Sequence, residues 1–333
     1  MASTSATDRV AAYWAPEGDA VRCTLCPHRC RIAEGTAGIC GVRENRRGTL
    51  FAATYGKVAA VAVDPVEKKP LFHFHPGARI LSIGSVGCNF RCEFCQNWNL
   101  VLRQAPVEPA RIEDLIRAAR REDSVGIAYT YNEPFIQFEF VLDCAKAFRE
   151  AGMKNVLVTN GYVNPEPLAE LLPFVDAMNI DLKSMDPAFY RRICGGDLDP
   201  VLATIRTAVK ATHVELTTLL YTGHNDAEEH VRKVIDFIAE MDREIPLHIS
   251  RYFPMHRATA PPTPPDRLAS AYRIARERLP YVYVGNMRLP GAEDTVCPAC
   301  GANVIRREGY RIDARGLSGD RCAACAARLR FVG

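Results

Sequence analysis

The sequence predicts an α/β fold built on a parallel sheet, with a small cysteine-rich piece at each end. Two observations carry this. Residues of about 76 to 290 alternate β-branched strand runs with amphipathic helical runs, the pattern that sets parallel strands side by side through helical crossovers. Cysteine is clustered, with eleven of the thirteen falling into three tight groups.

Composition sets outer limits. At 333 residues, with 48 % apolar and 24 % charged side chains, the chain suffices for one large domain and small appendages. A formal charge of +3 does not imply a polyanion partner, so nucleic acid is not expected as a ligand. No apolar run reaches the roughly 18 residues of a membrane span, and none is expected to enter a membrane. The opening MASTSATDRVAAYW lacks a basic stretch followed by an apolar core, so it does not read as a secretory signal. A cytoplasmic location is therefore expected, where clustered thiols favour metal over disulfides.

In chain order, residues 1–75 form an N-terminal cysteine-rich extension with two strand-like runs, TLFAATYGKV and AAVAVD. Residues 76–290 form the α/β body, expected to be an open or closed barrel. Its strand runs are RILSIGSV, VGIAYTY, NVLVTN, AMNIDL, HVELTTLLY, PLHISRYF and YVYVGNM. Its helical runs are RIEDLIRAARRED, FIQFEFVLDCAKAFREAG, PEPLAELLPF, DPVLATIRTAVKAT, DAEEHVRKVIDFIAEMDREI and PPDRLASAYRIARER. Asp or Pro stands near several helix starts, and AGMKN supplies a glycine stop. Runs such as VGIAYTY suit strands covered on both faces. Residues 291–333 form a C-terminal module holding two C-x2-C pairs.

Parallel β/α folds bind ligands at the C-terminal ends of their strands. Polar residues recur there: Cys88, Asn132 and Glu133, Asn160 and Gly161, Asp181 and Lys183, Thr217, His248 and Arg251, and Asn286. Any one of them could be a cap or a satisfied buried group; their recurrence strand after strand is the signal. Cys144 falls within an apolar helical pattern and reads as a small core residue. Cys194, like Cys144, stands apart from the clusters.

The first strand run leads into CNFRCEFC, in which Cys88, Cys92 and Cys95 are spaced C-x3-C-x2-C. Three thiols are one too few for a closed zinc site and one too many for a disulfide. Around a four-iron cube they would leave one iron without a protein ligand.

CNFRCEFC resembles the signature of radical S-adenosylmethionine (SAM) enzymes, and the following QNW resembles the variant in activating enzymes of the pyruvate formate-lyase type. A wider set of stretches is similar to the radical SAM member of the AmmeMemoRadiSam system: CTLCPHRCRIAEGTAGICGVREN, YGKVAAVAVDPVEKKPLFHFHPG, SIGSVGCNFRCEFCQNW, YTYNEP, NIDLKSM, YRRICGG and the terminal CPAC and CAAC. The resemblance implies a partial (β/α) barrel of radical SAM type. It also implies a [4Fe–4S] cluster on Cys88, Cys92 and Cys95, and reductive cleavage of SAM to a 5′-deoxyadenosyl radical. Glu133 falls where the family contacts the SAM amino group, although the usual glycines before it are Tyr131 and Asn132. Asn160 falls in a TNG stretch whose usual preceding Asp is Val158, which argues against a cation site there. Asp181 and Lys183 match an Asp-Leu-Lys strand end, with Lys183 facing the SAM carboxylate or, equally, solvent. His248, Arg251 and Asn286 are further candidates for ribose, adenine or substrate contacts.

The two other cysteine sets have four members each. Cys297, Cys300, Cys322 and Cys325 carry zinc-ribbon spacing, so structural zinc is expected. The nearby arginines 306, 307, 311 and 315 read as a solvated basic face sooner than as a binding one. Cys23, Cys26, Cys30 and Cys40 suit either zinc or a second Fe–S cluster, and the residues do not choose between them. In DPVEKKPLFHFHPG the prolines exclude regular helix, and His73 or His75 is expected either to line the barrel mouth or to sit in an ordered surface crossing. The functional expectation is a radical SAM enzyme using SAM, an external electron donor and partner proteins of the AmmeMemoRadiSam system. The alternatives are an activating enzyme that installs a glycyl radical on a partner protein, and a non-catalytic zinc-ribbon binding protein.

Overall fold

The structure is a computed structural model that describes residues 9–333. The polar opening residues 1–8, part of the stretch read above as lacking a signal, lie outside them. Its centre is an eight-stranded sheet. In chain order the strands are β1 (Ala60–Pro65), β2 (Arg79–Gly84), β3 (Ser124–Tyr129), β4 (Lys154–Thr159), β5 (Ala177–Asp181), β6 (His213–Leu220), β7 (Leu247–Arg251) and β8 (Val282–Gly285). Each pairs with the next in sequence, and all pairs from β2 onward are parallel. β1 runs antiparallel to β2, with Ala60 opposite Gly84.

The crossovers are α1 (Ile112–Arg121), α2 (Phe138–Glu150), α3 (Pro165–Leu171), α4 (Leu198–Ala208), α5 (Glu228–Met241) and α6 (Pro265–Arg276). They form where the apolar periodicity placed them. In α1 the acids Glu113 and Asp114 open the helix and Arg120 and Arg121 close it, matching the helix dipole. In α2, Phe138, Val141, Ala145 and Phe148 are buried, and so is Cys144, as expected of a small core residue.

The sheet is open, because β1 and β8 do not pair with each other. It nonetheless curls. Lys69, just beyond β1, and Val284 and Gly285 of β8 line the same cavity, so both edges wrap one space. The architecture is a partial barrel.

The flanks are built into this body. β1 comes from the 1–75 stretch, so the sheet begins before the expected division at residue 75. The rest of the extension holds more strand than its sequence signals, as two three-stranded antiparallel sheets. These strands are two to four residues long, too short for alternation to register. The C-terminal module is a small antiparallel hairpin structure of Thr295–Val296, Asn303–Glu308 and Arg311–Asp313. Its four cysteines bring their sulfurs within 4.8 Å of one another, with Sγ pairs at 3.8 Å and 3.7 Å. A tetrahedral ion with bonds of about 2.3 Å needs edges of about 3.8 Å.

Residues 69–78 cross beneath the barrel as a strap. His75 N donates to Val332 O and Val332 N to His73 O, at 2.6 Å and 2.9 Å, so the strap pairs with the end of the C-terminal module. Among the described residues no helix is long and apolar enough to cross a membrane.

Candidate active site

β2 ends at Gly84, and the chain then carries Cys88, Cys92 and Cys95 over the C-terminal edge of the sheet. The loop has little regular structure, so side chains fix it. Asn132, past the end of β3, accepts from Ser85 N at 2.9 Å and donates to Gly87 O at 3.1 Å. Gly87 has φ +86°, and a Cβ there would meet Cys40 O at 2.4 Å, so only glycine fits. Phe90 is buried against Tyr162, with ring centroids 4.9 Å apart. Its edge lies where a Cβ on Gly196 would be, at 2.4 Å. Arg91 N donates to Cys194 O at 2.7 Å, and Tyr221 donates to the Glu93 carboxylate at 2.9 Å.

All three thiols line a cavity of about 930 Å3. Burial pushes the Cys88 thiol well above its ordinary range, so without a metal the loop holds neutral thiols. Iron would displace their protons. Neither this trio nor any described set other than the C-terminal one gathers within 4.8 Å. The donor set therefore fits a multi-iron core, each thiolate on a different iron, better than one ion.

Glu133, Asn160, Asp181, Lys183, His248 and Asn286 all line this same cavity. Glu133 is held on three sides: Oε1 accepts from Phe135 N at 3.0 Å and Thr159 Oγ1 at 2.8 Å, and Oε2 from Asn160 N at 2.8 Å. Burial raises its carboxyl to about 7 against the pull of these donors. Asn160 Nδ2 donates to Asn89 Oδ1 at 2.9 Å and approaches Cys88 Sγ at 3.7 Å. Lys183 Nζ lies 2.7 Å from Asp181. Burial opposes its charge, yet Asp181, joined by Cys92 and Cys194, outweighs burial and holds the ammonium pKa well above its ordinary value. A carboxylate and an ammonium thus face one space, the pair that would match the amine and carboxylate of an amino-acid ligand.

His248 Nε2 donates to Glu215 at 2.7 Å. Asn286 donates to Arg251 O at 3.1 Å. Arg251 itself is not in the cavity wall; it donates to Thr263 O at 2.8 Å. His73 and His75 are not in the wall either, contrary to the first of the two expectations for the strap, and His73, being fully buried, does not fit a surface crossing. His73 is fully buried between Arg330 O at 2.6 Å and the Tyr283 hydroxyl at 2.5 Å, and Phe72 takes the wall position. Alternation along the strap turns Phe72 in and His73 under.

Several cavity residues carried no sequence signal. Lys69 is buried beside Asp64 at 2.7 Å and over the Tyr131 ring at 4.6 Å. Gly309 and Tyr310, the turn of the C-terminal hairpin, stand with Arg288 at the exposed rim of the cavity. Arg307 is buried and does not belong to a basic surface: it donates to Thr295 Oγ1 at 2.8 Å and Phe72 O at 2.7 Å. Cys194 is buried and lies beside Cys92, whose thiol it helps push well above its ordinary range. Only the YRRICGG stretch hinted at it.

A sequence profile of the radical SAM superfamily matches residues 82–238. An uncharacterized protein of Methanocaldococcus jannaschii is 43 % identical over 94 % of this chain and 96 % of its own length. A pyruvate formate-lyase-activating enzyme of Clostridium pasteurianum is 28 % identical, over 49 % of this chain and 70 % of its own. A probable GTP 3′,8-cyclase of Thermococcus kodakarensis is 33 % identical, over 46 % of this chain and 50 % of its own. The matched stretch begins in β2 and takes in the cysteine loop, the ends of β3 to β5 and all of β6, and the chain belongs to the radical SAM superfamily as an enzyme of that type.

Proposed function

We propose that Cys88, Cys92 and Cys95 hold a [4Fe–4S] cluster, and that SAM and a small substrate share the cavity beneath it. The cavity carries this reading. At about 930 Å3 it sits at the upper end of the roughly 300–1,000 Å3 of small-ligand sites, with room for more than one molecule. The cluster with SAM would supply a 5′-deoxyadenosyl radical able to take a hydrogen atom from the substrate. The chain's own part is orientation. Glu133 would receive the SAM amine, Lys183 the carboxylate, and the walls of Phe72 and Val284 would keep water from a reactive carbon.

Both flanks help to build the cavity, whereas the activating-enzyme match covers only about half the chain. This favours a small molecule bordered by the C-terminal module over a glycine on a partner protein. From the flank motifs we also infer partner proteins of the AmmeMemoRadiSam system, an external electron donor, and zinc on Cys297, Cys300, Cys322 and Cys325.

The test is to reconstitute the full chain anaerobically, reduce it, add SAM and measure 5′-deoxyadenosine. Cleavage that disappears in Cys88→Ala, Cys92→Ala and Cys95→Ala is expected. A zinc-only protein without cleavage would overturn the reading, and a protein glycyl radical formed with a glycyl-radical partner would shift it to the activating-enzyme alternative.

A further inference from the structure

The N-terminal cysteines are left undecided by the sequence, and nothing in the proposed chemistry requires them. The structure gathers Cys23, Cys26, Cys30 and Cys40 around one cavity whose other walls are mostly apolar, including Leu25, Ile32 and Ile136. We propose that these four residues hold an iron–sulfur cluster of the four-iron type, seated directly behind the Cys88 loop.

The first argument is a comparison within the chain. The C-terminal cysteines close to within 4.8 Å of one another, with sulfur pairs at 3.8 Å and 3.7 Å, as a single tetrahedral ion demands. The N-terminal four do not gather in that way, although all four face one cavity. They behave like the Cys88, Cys92 and Cys95 trio. Thiols that ring a space without meeting suit a core in which each binds a different iron. All are free thiols, so no disulfide accounts for their placement.

The second argument is an unpaired donor. Arg43 lines the cavity and is 1 % exposed. Its Nη1 donates to Glu139 at 3.0 Å and 3.2 Å, and its Nη2 to Ala12 O. Its Nε is buried and has no partner among the described residues. Buried N–H groups are rarely left so, and a cluster sulfide or cysteine sulfur in this cavity is an acceptor for it. Hydrogen bonds to sulfur and nearby positive charge are the means by which a protein holds and tunes an anionic cluster. Glycine at position 38 keeps the space open, since a Cβ there would lie 3.5 Å from Cys30 Sγ and 3.1 Å from Ile32 Cδ1.

The third point is placement. Cys40 O packs where a Cβ of Gly87 would be, one residue before Cys88. His28 Nε2 bonds Asn89 O at 2.7 Å, and Arg91 bonds Ile39 O. The two cysteine sets share a wall.

The assignment does not rest on the reading of the Cys88 loop, and the experiment separates them. The full chain is reconstituted anaerobically with ferrous iron and sulfide, then measured for iron, labile sulfide and zinc, and by Mössbauer and EPR spectroscopy. The wild type is expected to carry about eight irons, two cubes' worth. The combined variant Cys88→Ala, Cys92→Ala, Cys95→Ala is expected to keep about four, in a cubane signal that SAM does not perturb. The combined variant Cys23→Ser, Cys26→Ser, Cys30→Ser, Cys40→Ser is expected to keep the SAM-sensitive signal alone. Should that variant not fold, the Cys88 loop variant still decides. A loop variant without iron, from a wild type with about four irons and a second zinc, would overturn the proposal. About four irons that survive the loop substitutions but not the N-terminal ones would support it while sinking the functional reading.

Discussion

Glu133 sits where scaffold and cavity meet, and its titration follows from that position. Its two oxygens take three donors from the ends of β3 and β4, yet burial still raises its carboxyl to about 7. A carboxyl whose folded pKa lies above its unfolded one contributes stability that is complete below about pH 4.5 and lost as pH rises through about 7. A shift of that size is worth roughly 3 kcal/mol. Glu133→Gln abolishes the titration, and it turns an amide NH2 toward an N–H or O–H donor at a cost of about 1–3 kcal/mol. Anaerobic denaturation at pH 5 and pH 8 is expected to show the variant less stable at pH 5, with the gap narrowing by pH 8. A constant gap would mean that Glu133 stays ionised throughout. Gly196 makes a second residue-scale case. A Cβ there would overlap the Phe90 ring, so Gly196→Ala is expected to cost about 1–3 kcal/mol by overpacking. It should also lower the iron retained by Cys88, Cys92 and Cys95, read as iron per chain after desalting.

At the scale of elements, the body was legible because its signals are local. Each of the seven parallel strands and six long helices carries its own periodicity, and a strand-end polar residue is visible without knowing its neighbours. The N-terminal sheets were legible only in part: TLFAATYGKV announced the strand Thr49–Ala52, but the other strands, two to four residues long, carry no period. Lys69 and Cys194 were missed, and Arg307 misread as part of a solvated face, for another reason: their roles come from contacts with Asp64, Cys92 and Phe72 that only the folded chain creates. The C-terminal module shows what such contacts do. Its spacing announced a closed metal site, but not that Gly309 and Tyr310 at its hairpin turn would wall the central cavity. A four-thiolate metal holds a segment of this size folded. Cys322→Ser with Cys325→Ser is therefore expected to release one metal ion per chain and leave the iron count unchanged. It should also weaken substrate retention more than SAM binding, checked by metal analysis and by SAM titration.

Across the whole molecule, one buried carboxylate joins pieces far apart in sequence. Glu215 in β6 is 0 % exposed and accepts four hydrogen bonds. His213 donates at 3.0 Å and His248 at 2.7 Å, while the strap supplies Phe72 N at 3.0 Å and His73 N at 2.7 Å. His73 Nδ1 faces the Arg330 carbonyl, so it must carry the proton, and Nε2 then accepts from Tyr283. Thr295 and Arg307 continue the chain into the C-terminal module. Burial alone would raise the Glu215 carboxyl, but the bonds from His213 and His248 outweigh it and hold it well below the usual range. Its contribution is therefore present above the ordinary carboxylate pKa and lost as pH falls through the lower folded value. Glu215→Ala would strand two imidazoles and two backbone N–H groups, at a cost of about 3–5 kcal/mol. The consequence is regional. The Cys88 loop is fixed by Asn132, Gly196 and Tyr221 and shares no partner with Glu215, so iron content should hold. The strap and residues 291–333 are expected to lose their hold on the barrel. Hydrogen exchange should accelerate at residues 72–75 and 295–332 in the variant, with little change around residues 85–96; acceleration spread evenly over β2 to β5 would show that the network supports the barrel as a whole and not the seam with its C-terminal cap.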